Sequence, residues 1–285
     1  MDRRDFIRIT TVAGLMAKSL SAGAEQPERI TTKEAVGAKH QDAMQKFSKL
    51  TGVDKVTIGM LAYPGMFLLD LVGPLAVFES LMNREIHLLW KTKDLVSNEK
   101  PEHPNLIPVR PTTTFKDCPD HLDVLFVPGG VPGTFAMMED PEVLRFLAEK
   151  GKMARFVTSV CTGSLVLGAA GLLDGYKATS HWGTLDVLKE LGAIPIRSRI
   201  VVDRNRITGG GVTAGIDFGL KIAALLRNDT YAEAIQLYLE YDPAPPFDSG
   251  SPEKASPEVN RFLNEMFAEM KETARETAIR AKKLL

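Results

Sequence analysis

Short continuous apolar runs alternate along this chain with stretches where apolar residues recur every three or four positions. Residues 56–63 form such a run, ended by Pro64-Gly65, and predict a buried strand. Residues 71–81 have helical spacing, with Gly73-Pro74 as the expected start because proline suits the first helical turn. Residues 86–90 and 122–127 predict two more strands, the second cut off by Pro128-Gly129-Gly130. A helix over about residues 141–150 leads into a strand at 155–160, and helical signals return at 163–170 and 185–191. Residues 199–202 and 206–208 predict a strand pair around Asp203-Arg204-Asn205, before two longer helices at 214–226 and 230–238.

Continuous apolar strands alternating with helices indicate a mostly parallel sheet covered on both faces. The expected fold class is α/β, a three-layer α/β/α sandwich of the flavodoxin-like kind. Ligands in such sheets bind outside the carboxyl ends of the strands, near a topological switch point. The turns at Pro64-Gly65, Pro128-Gly129-Gly130 and Cys161-Thr162-Gly163 each follow a strand, so all three should gather at that edge.

The ends of the chain read differently. Arg3-Arg4, a weakly apolar run from Ile9 to Leu20 and small residues at Ala22-Gly23-Ala24 resemble a twin-arginine export signal over residues 1–24, which predicts a periplasmic protein; without a working signal it would be cytoplasmic. Residues 25–52 are polar and form an extension, and residues 53–241 carry the domain. Residues 242–285 begin with a proline-rich connector and continue from Ser256-Pro257-Glu258 as an amphipathic helix with Phe262, Leu263, Met266, Phe267 and Met270 on one stripe. That stripe suits packing on its own domain as well as docking on a partner subunit.

Composition narrows the function. The chain has 35 basic and 36 acidic residues, for a net charge of −1, which gives no electrostatic footprint for nucleic acid or a membrane surface. Its two cysteines, Cys118 and Cys161, form no C-x-x-C pair. Neither a disulfide framework nor a structural zinc site is expected, and no cofactor is called for. Gly209-x-Gly211-x-x-Ala214 has the outline of a dinucleotide fingerprint. It lies late in the chain with no ribose-binding acid after it, and reads as a turn that lines the site or packs a helix.

The chemistry concentrates at Ser159-Val160-Cys161-Thr162-Gly163, where a strand turns into a helix as in a nucleophile elbow. A tight turn exposes Cys161, and Gly163 lets the helix approach closely. The helix N-terminus favours an anion, which predicts a lowered thiol pKa. Cys118, in a loop, has no such setting.

Residues 159–173 with Ala178-Thr179-Ser180-His181-Trp182 resemble the core of the ThiJ/PfpI family, and more narrowly the isonitrile hydratases. Asp70-Leu71-Val72-Gly73-Pro74, residues 123–130, residues 208–217 and the tail 242–252 match in the same order, so the likeness spans about residues 55–255. The resemblance implies that Cys161 is the nucleophile, that Asp70 is the acid facing it, and that Thr162 orients reactants or supplies a backbone donor. It implies that Gly129 and Gly130 give amides to an oxyanion-type pocket, and that His181 lies near the thiol. Before Trp182, His181 also reads as a hydrogen-bonded core histidine, and that reading stands ahead of a catalytic one. The resemblance also implies a homodimer. Thr162 stands where the proteolytic branch carries histidine, which counts against a Cys-His dyad.

A thiol beside a carboxyl group suits addition of water to an isocyanide, with one proton shared by the pair. Glyoxalase- or deglycase-like chemistry is a second reading. A third is a non-catalytic ligand-binding or oxidative-stress-sensing module. AraC-type regulators use the same domain, but residues after Asp242 are too few and too acidic for a helix-turn-helix region.

Overall fold

The computed structural model describes residues 45–47, 54–97 and 107–283. Apart from residues 45–47, these belong to one compact unit, Gly52–Leu285. The expected export signal, residues 1–24, lies outside the described residues, as does nearly all of the extension 25–52. No helix among the described residues is long and apolar enough to cross a membrane.

The core is a sheet built on β1 (Val56–Leu61), β2 (Arg84–Trp90), β3 (Thr113–Thr114), β4 (Val124–Val127) and β5 (Phe156–Val160). β6 (Lys177–Ala178) and β7 (Ile194–Pro195) form a small separate pair, and the hairpin β8 (Ile200–Asp203) and β9 (Arg206–Gly209) returns to the main sheet. The seven strands run in the order β3-β2-β1-β4-β5-β9-β8. All pair in parallel except β8, which lies antiparallel to β9 at the edge. Every residue of β4 is buried, as two covered faces require, so an apolar run replaces strict alternation.

Helices α1 (Leu68–Glu79), α2 (Gly133–Met138), α3 (Pro141–Met153), α4 (Gly163–Ala169), α5 (Ala214–Leu226) and α6 (Asp229–Tyr238) follow the strands, with a 3-10 helix at Leu185–Leu191. The local chemistry of their ends is readable. Asp140 accepts from the amides of Glu142 (3.0 Å) and Val143 (3.1 Å) with Pro141 behind it, and Asn228 accepts from Tyr231 (2.9 Å). Each side-chain cap satisfies a donor that the first helical turn leaves without a partner.

Three differences from the sequence-based expectation have physical causes. Pro74 lies inside α1, which starts at Leu68. Proline costs the helix a bond to the Asp70 carbonyl, yet packing holds it there, because a Cβ on Gly215 of α5 would stand 3.0 Å from the Pro74 ring. Residues 185–191 wind as a 3-10 helix that ends on Gly192 at a φ of +81°. The tail forms two helices, α7 (Pro257–Met266) and α8 (Ala268–Ala281). α8 buries Ala274, Thr277, Ala278 and Ala281, and Phe267 between them meets the His181 and Trp182 rings. Phe262 and Met266 of the expected stripe remain exposed.

The chain passes from β1 outward to β2 and β3, then back across to β4 on the other side of β1. The switch point is therefore between β1 and β4, and a crevice opens there at the carboxyl ends of the strands.

Candidate active site

Three loops meet at that crevice. The first follows β1, and its Phe67 amide donates to the Gly129 carbonyl of the loop after β4 (2.8 Å). The second carries Gly129 and Gly130. The third is the turn from β5 into α4, where Cys161 and Thr162 stand between strand and helix. The Cys161 φ of +53° lies in the left-handed region, a conformation that costs a non-glycine residue about 1–3 kcal/mol. Four hydrogen bonds hold it. The Cys161 amide donates to the carbonyls of Gly209 (3.1 Å) and Gly210 (2.6 Å), and the Cys161 carbonyl accepts from the hydroxyls of Ser164 and Ser180, each at 3.2 Å.

Gly163 is required by close approach. A Cβ there would press on the Val127 carbonyl and stand 2.7 Å from the Pro128 carbonyl oxygen, both backbone atoms of the neighbouring strand and loop. Gly163→Ala is expected to cost about 3 kcal/mol of stability, the upper end of overpacking penalties, with loss of the elbow geometry. Urea unfolding followed by circular dichroism measures it.

Asp70, the third residue of α1, is fully buried. Its Oδ2 accepts from the Gly129 amide (3.0 Å), and Oδ1 is buried with no hydrogen-bond partner. The carboxyl faces the Cys161 thiol. A helix N-terminus favours a carboxylate by about 0.3–1 kcal/mol, but burial works the other way and wins. It pushes Asp70 up to about 6, against the opposing help of the Cys161 thiol and the Gly129 amide.

The thiol itself departs from the sequence-based expectation of a lowered pKa. Burial first, and then the Asp70 charge, raise it well above the ordinary cysteine value. The Thr162 amide and hydroxyl face the sulfur and pull the other way, but they do not offset loss of solvent. With the thiol protonated above neutrality and the carboxyl titrating near 6, the pair holds one proton at neutral pH, mainly on sulfur.

Thr162 anchors a buried chain of hydroxyls. Its Oγ1 accepts from the Gly130 amide (2.9 Å) and lies 2.7 Å from Thr134 Oγ1. Thr134 is 3.3 Å from the Tyr63 hydroxyl, which donates to the Pro128 carbonyl (2.8 Å). The Tyr63 hydrogen goes to Pro128, so the single Thr134 hydrogen serves either Tyr63 or Thr162, and the Thr162 hydroxyl also faces the Cys161 sulfur. Burial raises the Tyr63 pKa strongly, so the phenol stays a neutral donor.

The structure thus brings together Cys161, Asp70, Thr162, Gly129 and Gly130, but the two glycine amides serve differently from an oxyanion pocket. Both are already engaged, Gly129 with Asp70 and Gly130 with Thr162, and they position those side chains. His181 makes its own contacts with other residues. Its Nδ1 accepts from the Gly183 amide (3.2 Å), and its ring packs against Trp182 and Phe267. Burial and then Lys271 lower its pKa, so it is a neutral, packed imidazole. Tyr63, Thr134 and Ser180 were not singled out by sequence. Tyr63 ends an apolar run just before Pro64-Gly65, a position that points to the site; six-residue α2, which carries Thr134, is too short to leave a periodic signal.

This is an α/β sandwich with a cysteine elbow and a buried carboxyl at the sheet's switch point. The sequence pattern described as the DJ-1/PfpI family matches residues 56–225, and the chain belongs to that family. It is 53% identical over 198 residues to an isonitrile hydratase from Pseudomonas putida, covering 70% of this chain and 84% of that protein. A crystal structure of a ThiJ/PfpI family protein from Pseudomonas syringae superposes with a TM-score of 0.77 at 46% identity, covering 91% of this chain and 99% of that one. A helix-turn-helix transcriptional regulator from Pseudomonas aeruginosa is 32% identical over 191 residues, but the match spans only 51% of its length.

Proposed function

We propose that this protein is an isonitrile hydratase, an enzyme that adds water to an isocyanide to give an N-substituted formamide. The observation that carries the reading is the Asp70 carboxyl, buried against the Cys161 thiol with Oδ1 left unpartnered. The 53% identity to a protein of that name supports it over glyoxalase-like chemistry. Sensing without catalysis is disfavoured by the same likeness.

The isocyanide carbon must accept both a nucleophile and a proton. Asp70 takes the thiol proton and delivers it to that carbon as the Cys161 sulfur bonds there, giving a thioimidate with no net change in charge. Water then attacks the same carbon while the Asp70 carboxylate accepts one of its protons and passes it to nitrogen. Cleavage of the C–S bond, with the remaining proton returning to sulfur, releases the formamide. The Thr162 amide and hydroxyl stabilise the sulfur while it carries charge.

The starting state has one proton on the pair, so kcat/KM should rise with pH as Asp70 loses its proton, through an apparent pKa of about 6. The value belongs to the thiol–carboxyl pair as a unit. The test is incubation of purified, reduced protein with cyclohexyl isocyanide across pH 4.5–8.5, with N-cyclohexylformamide measured by gas chromatography. Formamide production with an acid limb near 6 supports the assignment, and a folded, reduced protein that produces none overturns it.

The expectations about location and assembly belong to the same proposal. The twin-arginine pattern of residues 1–24 supports export to the periplasm, and the exposed Phe262 and Met266 on α7 support a homodimer.

A further inference from the structure

In the hydroxyl chain behind the nucleophile, two hydrogens serve three contacts. Tyr63, Thr134 and Thr162 come from the loop after β1, from α2 and from the elbow, and all three are buried. Gly130 ties two of them together. Its carbonyl accepts from the Thr134 amide (2.7 Å), and its amide donates to Thr162 Oγ1 (2.9 Å). The Tyr63 hydrogen is committed to the Pro128 carbonyl at 2.8 Å. The hydrogens left are those of Thr134 and Thr162. The contacts open to them are Thr134 to Tyr63 (3.3 Å), Thr134 to Thr162 (2.7 Å), and Thr162 to the Cys161 sulfur.

The 2.7 Å contact between the threonines takes one hydrogen in either direction. When Thr162 donates to Thr134, the Thr134 hydrogen goes to the Tyr63 oxygen and the sulfur receives none. When Thr134 donates to Thr162, the Thr162 hydrogen goes to the sulfur and Tyr63 receives none. The charge on sulfur decides between them. A neutral thiol is a weak acceptor, so the phenol oxygen wins. A sulfur anion accepts a charge-assisted bond, roughly twice as strong as a neutral one. The 3.3 Å bond to Tyr63 is long for two hydroxyls, and breaking it gives up little.

We propose that Tyr63 and Thr134 are positioning residues that turn the Thr162 hydroxyl, away from sulfur while Cys161 is a neutral thiol and towards it once the sulfur carries charge. The stabilising bond is then made at the charged stage of the reaction and not before it, which is where a bond raises the rate. The proposal rests on the hydratase reading only for the reaction it serves. It also fixes a sign. Tyr63 stabilises the resting thiol, so removing its hydroxyl should make the thiol more acidic, whereas loss of a bond that held a thiolate would do the reverse.

Alkylation by iodoacetamide reads the thiolate without turnover, followed from pH 6.5 to 10 by mass spectrometry of the peptide containing Cys161. In Tyr63→Phe the Thr134 hydrogen has only Thr162 to go to. The rate at pH 8 should rise about threefold, a shift of roughly half a pH unit. Thr134→Val leaves the Thr162 hydrogen no acceptor but sulfur and should act in the same direction, with Thr134→Ser at the wild-type rate. That variant carries the test if loss of the Pro128 partner unfolds Tyr63→Phe. In a Thr162→Val background neither Tyr63→Phe nor Thr134→Val should change the rate, because the hydroxyl they turn is gone. A core merely loosened would alkylate faster there as well. A rate at or below wild type in either folded variant, an acceleration that survives Thr162→Val, or a Thr134→Ser that behaves as Thr134→Val overturns the proposal. A protein that shows the expected shifts but hydrates no isocyanide keeps the hydroxyl relay and loses the hydratase reading.

Discussion

Cys161→Ser should lower kcat for cyclohexyl isocyanide by about 10³-fold or more, with little change in stability. The elbow holds the residue by its backbone, through the carbonyls of Gly209 and Gly210 and the hydroxyls of Ser164 and Ser180. Serine accepts the same positive φ and the same four bonds. What changes is the reacting atom. An alcohol is a far weaker acid than a thiol and a harder nucleophile, and the buried Asp70 carboxylate near 6 is too weak a base to remove its proton. Stability should stay within about 1 kcal/mol because only one buried atom is exchanged. Gas chromatography of the formamide and a thermal melt on the same sample separate the two effects, and a variant with retained turnover would remove Cys161 from the reaction.

Asp70→Asn should abolish turnover just as completely while making the protein relatively more stable as pH rises. The amide keeps the acceptor for the Gly129 N–H but moves no proton at neutral pH. Burial raises the Asp70 carboxyl from 3.8 to about 6, so in this range the folded state binds more protons at Asp70 than the unfolded chain does. Wild-type stability from this group is therefore full below about pH 3.8 and declines as pH rises towards 6. The full penalty is about 3 kcal/mol, and asparagine escapes it. The stability difference between variant and wild type should shift by about 2 kcal/mol in favour of the variant between pH 4 and pH 8. Urea unfolding at a series of pH values measures that shift, and a pH-independent difference would mean the carboxyl is not held in an unfavourable environment. A buried acid that weakens the fold and carries the chemistry is a common trade of stability for activity.

Much of this was legible in the sequence. Parallel strands buried on both faces write themselves as continuous apolar runs, so the α/β class and the alternation of strands and helices could be read directly. The turn residues after β1, β4 and β5 also placed Asp70, Cys161 and the two glycines at one edge. Other features depended on tertiary contact. Pro74 looked like a helix start because its local cost is high, and only its packing on Gly215 explains an interior position. The thiol looked activated because the elbow supplies a helix N-terminus, a local feature. The burial and the Asp70 charge that reverse the sign come from 91 residues away in the chain, between positions 70 and 161. Gly129 and Gly130 suggested free amides, yet the first is bonded to Asp70 of α1 and the second to Thr162 of the elbow. The hydroxyl chain from Tyr63 through Thr134 to Thr162 left no pattern, since single polar residues in apolar runs carry no periodicity.

The most direct test of the account is to look for the covalent link itself. Protein mixed with cyclohexyl isocyanide and quenched in acid within milliseconds to seconds is digested and read by mass spectrometry. The account predicts one isocyanide mass added to the peptide containing Cys161, appearing during turnover, disappearing as substrate is consumed, and absent in Cys161→Ala. Steady formamide production with no adduct on that peptide, and with Cys161→Ala fully active, would contradict it.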